Sequence, residues 1–217
     1  MPRPGEIMDV TVFMQPGMPQ WAGEAVMATR SLSELPGDEA NVAMLTMTTH
    51  TGTHVDAPRH FFERSKTLDQ IPLDRWVGPC VVADFTGVTT DITADDLDRA
   101  NIPPNITRLV LKTRNSELWR THPETFVEDF IAVAPSGARW LVERLIRLVA
   151  IDYLSIGSFG PEGVETHRIL LGNDVLVVEG LNLTGVPAGA YELLCFPLNL
   201  FGLDGAPARV ALRVLGV

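Results

Sequence analysis

Apolar and polar positions along the 217-residue chain change period several times. Short β-branched or alternating runs, most of them bounded by glycine or proline, predict strands at Ile7–Met14, Asn41–Thr49, Val77–Phe85, Arg108–Lys112, Leu148–Ile151, Val175–Val178, Tyr191–Phe196 and Ala208–Leu215. Helical spacing is rarer. Thr93-Ala-Asp-Asp96 offers a threonine cap with acidic residues in the first turn, which complements the helix dipole and leads into Leu97-Asp-Arg-Ala100. From Pro135 to Ile146, the residues Ala138, Leu141, Val142 and Leu145 share one stripe, and Pro161–Leu171 predicts a short helix carrying His167. A helix followed by the apolar run Leu148–Ile151 suggests an α/β layer, so the expected class is α/β, mostly β with a few helices.

Composition narrows the partners. With 46% hydrophobic and 20% charged residues the chain has material for a buried core, which excludes disorder as its main description. The 16 prolines and 18 glycines are spread along the chain with no linker, repeat or low-complexity block, so one unit over 1–217 is expected. Seventeen Lys+Arg against 27 Asp+Glu leave a net charge of −10 with scattered basic residues, which excludes nucleic acid and anionic membrane as expected partners. No apolar run approaches the ~18 residues of a membrane span. The opening Met1–Asp9 has a lone Arg3 and no apolar stretch, so the cytoplasm is the expected location. Cys80 and Cys195 both sit in apolar runs and read as buried thiols of a reducing compartment.

Histidine carries the chemistry. Three of the five histidines fall within eleven residues, His50-Thr-Gly-Thr-His54-Val-Asp56-Ala-Pro-Arg-His60. The preceding run is β-prone, and in an extended chain positions 50, 54 and 56 share a face, so two imidazoles and a carboxylate are expected to converge there. Thr51, Gly52 and Thr53 leave room for an ion, and Pro58 ends the strand and redirects His60. Neutral imidazole with carboxylate suits Zn²⁺, with Mn²⁺ or Fe²⁺ as alternatives, and three ligands leave open positions as catalytic sites do. His167 is a further candidate. Glu179, inside an apolar run, reads either as a ligand or as a solvated residue at a strand end, because a buried carboxylate is costly unless paired. His122 reads as an exposed loop residue.

The segment His50-Thr-Gly-Thr-His-Val-Asp-Ala-Pro-Arg-His-Phe61 resembles the H-x-G-T-H-x-D-x-P-x-H-F signature of the cyclase superfamily, which contains kynurenine formamidases and isatin-type hydrolases. Gln20–Glu24, Ala138–Leu141, Leu148–Ser155, Val178–Leu183, Pro187–Glu192, Pro197–Leu200 and Gly205–Arg209 support that resemblance. It implies a swivelling β/β/α fold of the cyclase/arylformamidase type, a homodimer or homotetramer, and a centre of one or two divalent ions, Zn²⁺ first and Mn²⁺ second. Position by position, the resemblance makes His50, His54 and Asp56 ligands of a first ion, Asp56 and Glu179 bridging carboxylates, His167 a ligand of the second ion and His60 the proton shuttle. Two stretches depart from the formamidase pattern: Trp21-Ala-Gly-Glu24 stands where Trp-Pro-Gly-Asp is usual, and the loop from Ser155 to Thr166 differs as well.

A bound divalent ion lowers the pKa of water from 15.7 to about 7 and polarises a carbonyl, so attack on an amide is the expected reaction, with His60 handing a proton to the departing amine. No G-x-S-x-G elbow occurs, and neither cysteine has the positively flanked, exposed setting of a nucleophile. The expected substrate is a small aryl amide such as N-formylkynurenine, bound against Trp21, Phe13, Phe61 and Phe159. The alternatives are a lactam or lactone hydrolase or cyclase, and a non-catalytic metal-binding protein.

Overall fold

The computed structural model describes residues 3–216, so Met1 and Pro2 of the opening segment and Val217 lie outside the described residues. Ten strands and four helices follow in the order β1 (Ile7–Asp9), β2 (Ala28–Ser33), β3 (Val42–Thr46), β4 (His54–Asp56), β5 (Val77–Asp84), α1 (Ala94–Arg99), β6 (Arg108–Lys112), α2 (Leu118–Thr121), α3 (Pro135–Glu143), β7 (Leu148–Ile151), α4 (Pro161–Gly172), β8 (Leu176–Glu179), β9 (Gly189–Pro197) and β10 (Gly205–Val214). Among the described residues no helix is long and apolar enough to cross a membrane.

Strands β10, β4, β8, β7, β6, β5 and β9 lie side by side in that order, and because β9 also pairs with β10, the seven close into a barrel-like sheet with β1 on its margin. Neighbours from β5 to β8 run parallel, joined by crossovers that carry the helices. Such strands are buried on both faces, and the side chains sort by alternation. Val110, Leu148, Ala150, Leu176 and Val178 point into the barrel with Trp76, Leu193 and Val210. Leu109, Leu111, Val149, Ile151 and Val177 point outward, where Leu97, Leu141 and Leu170 of the helices cover them. Burying each of these large side chains contributes about 1.5–3 kcal/mol. The two cysteines lie in this core, and burial pushes the Cys80 thiol up to about 12 and that of Cys195 higher still.

The predicted strands Arg108–Lys112 and Leu148–Ile151 match their observed limits. Ile7–Met14 is shorter than predicted: the Asp9 carboxylate takes the Thr11 N–H, and beyond it only a single bridge from Thr11 to Leu181 remains. Sequence patterning missed β2, whose Ala-Thr-Arg-Ser-Leu-Ser pairs with β3 in a hairpin that is almost wholly exposed and so shows no buried face. The run expected to stay extended from Asn41 to Asp56 is broken. Only His54–Asp56 of the histidine segment is strand, and residues 49–53 form a turn in which Gly52 has φ of +64°.

Candidate metal centre

Register places the first pair of groups. Strand β4 runs antiparallel to β8 with His54 opposite Glu179, and since Val55 and Val178 both point into the barrel, His54, Asp56 and Glu179 point outward. The outer face at this point is covered by α4, whose residues Gly163, Thr166, His167, Leu170 and Leu171 are its buried side. A period-2 strand and a period-3.6 helix thus bring four groups from distant segments together. His54 Nε2 lies 3.0 Å from Glu179 Oε2, and His167 Nε2 lies 3.2 Å from Glu179 Oε1 and 3.8 Å from Asp56 Oδ2. Backbone carbonyls fix both rings: Nδ1–H of His54 donates to Gly52 O at 2.9 Å and Nδ1–H of His167 to Gly163 O at 2.7 Å. Each Nε2 is thereby turned towards the carboxylates, where it donates when protonated and could bind a metal ion when not, the orientation that metal-ligating histidines take from their outer partners.

His50 arrives by another route than the one expected. It is not on the strand but in the turn before it, and Gly52 in the left-handed region lets that turn fold back so that His50 Nδ1 lies 2.9 Å from Asp56 Oδ1. Its Nε2 donates to Asp204 Oδ2 at 3.0 Å. Asp204 immediately precedes β10, whose Gly205 pairs with Asp56; a Cβ on Gly205 would stand 2.5 Å from Val55 O and 2.9 Å from the His50 ring, so only glycine allows this approach. His60 ends a one-turn 3₁₀ helix that starts at Pro58, its Nδ1 3.4 Å from the same Asp204 oxygen and its ring 4.1 Å from that of His50. Phe61 stacks on His167 at 4.7 Å and meets His60 edge-on.

Asp56 is the centre of the arrangement. It is fully buried, and among the described residues neither carboxylate oxygen receives a well-aligned hydrogen bond, the 2.9 Å approach of His50 Nδ1 to Oδ1 being out of line for one, although a buried acceptor of this kind is almost always satisfied. Donor atoms of His50, Asp56 and His60 lie within 4.8 Å of one another, as do those of His54, Asp56 and Glu179, so two groups of nitrogen and oxygen donors share one carboxylate. That set could hold a divalent metal ion, with Asp56 common to both groups and His167 beside the second. The grouping differs from the expected one: His54 falls with Glu179 instead of with His50, and His60 stands with His50 and Asp56, close enough to serve as a ligand as well as an acid or base.

Electrostatics point the same way. Burial opposes ionisation of Asp56, but the imidazoles of His60, His50 and His54 hold its carboxyl well below the usual range. Burial and the Asp56 charge oppose ionisation of Glu179, and His167 and His54 outweigh them. Burial also disfavours the charged form of His50, yet Asp204 and Asp56 raise it to about 10, and Glu179 raises His167 against its own burial. Hydrogen bonds from His50 and His60 hold Asp204 far below an ordinary carboxyl. The cluster therefore draws positive charge into a buried space, from protons or from metal ions.

A cavity of about 240 Å³ opens above these groups, and Trp21, Phe61, Ser155 and Val164 form part of its wall. Trp21 is held by an aromatic cluster, with ring centroids 5.0 Å from Phe126, 5.3 Å from Phe159 and 6.3 Å from Phe130. Phe159 thus backs Trp21 instead of lining the cavity. Phe13 does not line it either: it is 84% exposed and borders a separate surface hollow with Met14, Met27 and Phe196. His122 is exposed, as expected. Sequence reasoning missed Asp204, and it gave no role of its own to Glu24, a cavity-lining carboxylate in the Trp21-Ala-Gly-Glu24 stretch that it singled out. It also missed Asp152, whose carboxylate accepts from the backbone and hydroxyls of Thr113 and Ser116 and so pins the end of β7 beside the site. Burial pushes Asp152 up to about 6 despite those four donors.

The match to known proteins covers nearly the whole chain. Cyclase-like protein 1 of Arabidopsis thaliana is 34% identical over 218 residues, spanning 96% of this chain and 85% of that protein. A solved structure described as a potential metal-dependent hydrolase with cyclase activity superposes with a TM-score of 0.83 at 37% identity, covering 95% of this chain and 96% of the other. Isatin hydrolase A from Labrenzia aggregata shares the fold, with a TM-score of 0.78 at 23% identity over 97% and 94% of the two chains. With the Cyclase family model matching residues 8–158, around the whole histidine segment, the chain belongs to the cyclase family.

Proposed function

We propose that the protein is a metal-dependent hydrolase that cleaves the C–N bond of an aryl amide, in the manner of a kynurenine formamidase converting N-formylkynurenine and water to kynurenine and formate. The observation that carries this reading is Asp56, a buried carboxylate with no well-aligned hydrogen bond, shared by two sets of nitrogen and oxygen donors beside a cavity. A divalent ion held there supplies a water of lowered pKa and a Lewis acid for the carbonyl oxygen. His60 borders the cavity with Nδ1 turned to Asp204, which leaves Nε2 to take a proton from the attacking water and deliver it to the departing amine nitrogen. Trp21 and Phe61 offer flat apolar surface to an aryl ring, and favourable ring pairs contribute about 0.5–1.5 kcal/mol each.

A second reading is favoured by the size of the cavity, about 240 Å³, at the small end for ligand sites, together with the fold shared with isatin hydrolase A: a compact bicyclic lactam or lactone opened by the same groups. One experiment tests both. Protein stripped by a chelator is assayed on an aryl formamide, an isatin-like lactam and an aliphatic formamide before and after Zn²⁺ or Mn²⁺ is restored. Metal-dependent turnover with the aryl formamide ahead supports the first reading, and the lactam ahead supports the second. Full activity in verified metal-free protein overturns both.

A further inference from the structure

We propose that Glu24 selects substrate by charge, favouring an aryl substrate whose end remote from the scissile bond is cationic. The inference deepens the reading of the cavity as an aryl-amide site and rests on it. Glu24 closes a turn with Trp21, its N–H donating to Trp21 O at 3.0 Å, so the indole and the carboxylate belong to one rigid corner of the cavity wall. The carboxylate is fixed from the other side: Thr48 Oγ1 donates to Glu24 Oε2 at 2.9 Å and lies 3.1 Å from Thr51 Oγ1, in the turn that carries His50. Oε1 has no protein partner among the described residues.

Among the described residues no basic side chain pairs with the Glu24 carboxylate, and the positive charge that the cavity draws gathers at the ligand cluster around Asp56. No lysine or arginine among the described residues lines the cavity, and the one other carboxylate there, Glu179, belongs to the ligand cluster. The whole protein adds a net charge of −10, which favours cations on approach. An indole face beside a carboxylate suits a cation on both counts, since the ring quadrupole and the full negative charge attract the same group. A carboxylate alone at the far end of the substrate finds the reverse, no basic partner and a fixed like charge, whereas the amino-acid end of N-formylkynurenine brings an ammonium group for Glu24.

The test uses metal-loaded protein and three formanilides that differ only at the para position: trimethylammonio, its neutral isostere tert-butyl, and carboxylate. The trimethylammonio group cannot coordinate a metal, and because it also withdraws electrons from the ring and activates the anilide, recognition by Glu24 is read from KM and from the change in the cation-to-neutral ratio on Glu24→Gln, in which the electronic effect cancels. The wild-type protein is expected to prefer the cationic over the neutral substrate in kcat/KM by about tenfold, carried by KM, with the carboxylate substrate poorest. Glu24→Gln keeps an acceptor for Thr48 and should lower the cation-to-neutral ratio by about threefold or more. A smaller fall in the ratio, or no preference in the wild type, overturns the proposal. If the wild type hydrolyses none of the three, the aryl-amide reading is what fails, and calorimetry with phenyltrimethylammonium then decides about Glu24: tighter binding to wild type than to Glu24→Gln upholds it, and equal or absent binding overturns it.

Discussion

The two halves of the ligand cluster are built differently. The inner half, His54, Glu179 and His167, stands on β4, β8 and α4, is almost fully buried, and has its imidazoles oriented by backbone carbonyls of the same segments. The outer half, His50, His60 and Asp204, stands on turns, is partly exposed, and has its imidazoles oriented by a side chain, the Asp204 carboxylate. Asp56 joins the halves. Regular elements and main-chain partners give the inner half a geometry that side-chain motion cannot relax, whereas the outer half keeps the freedom and solvent access that proton transfer requires.

The sharpest break of the comparison is at Glu179. Removing it leaves the imidazoles of His54 and His167 with only the more distant Asp56 carboxylate, at 3.7 and 3.8 Å, so Glu179→Ala should lose metal from the inner group and fall below detectable turnover. Elemental analysis with activity decides, and wild-type values for both would make the inner half dispensable. His60→Ala attacks the outer half and should lower kcat by about 10²–10⁴ while metal content stays at the wild-type level. Loss of metal in that variant would make His60 a ligand, as its place beside His50 and Asp56 allows.

A milder change asks whether a side-chain partner matters as much as a main-chain one. Asp204→Asn keeps the shape but weakens the hold on His50 and His60, and about 10–100-fold in metal affinity is the expected cost, read by competition with a chelator. An unchanged affinity would show that the turns alone fix the outer imidazoles.

The smallest effect is on the stability of metal-free protein. His50 is raised from 6.5 to about 10 in the folded state, so its contribution is complete below pH 6.5 and is lost as pH rises towards 10. Ionisation of Asp152, raised to about 6, removes stability in the same sense at lower pH, from about 4 upward. The Tm of metal-free protein should therefore fall between pH 6.5 and 10, and metal-loaded protein, whose ions replace the proton on His50, should show a smaller decline. Parallel profiles would mean that His50 does not change its charge when metal binds.

The sequence by itself determined the local chemistry: the His50–His60 spacing, the strand period that sends Val55 inward and His54 and Asp56 outward, the proline that turns His60 out of the strand, and the helix that carries His167. These depend on neighbours within a few residues and are legible from residue type. The partners were not legible in the same way. Asp204 and Glu24 carry no local signal of a role, and Glu179 reads as either ligand or solvated strand end. Only closure of the barrel, which sets β4 between β8 and β10, puts His54 opposite Glu179 and Asp204 beside His50. Cross-strand register between segments far apart in the chain is fixed by packing of the whole sheet, and no local pattern encodes it.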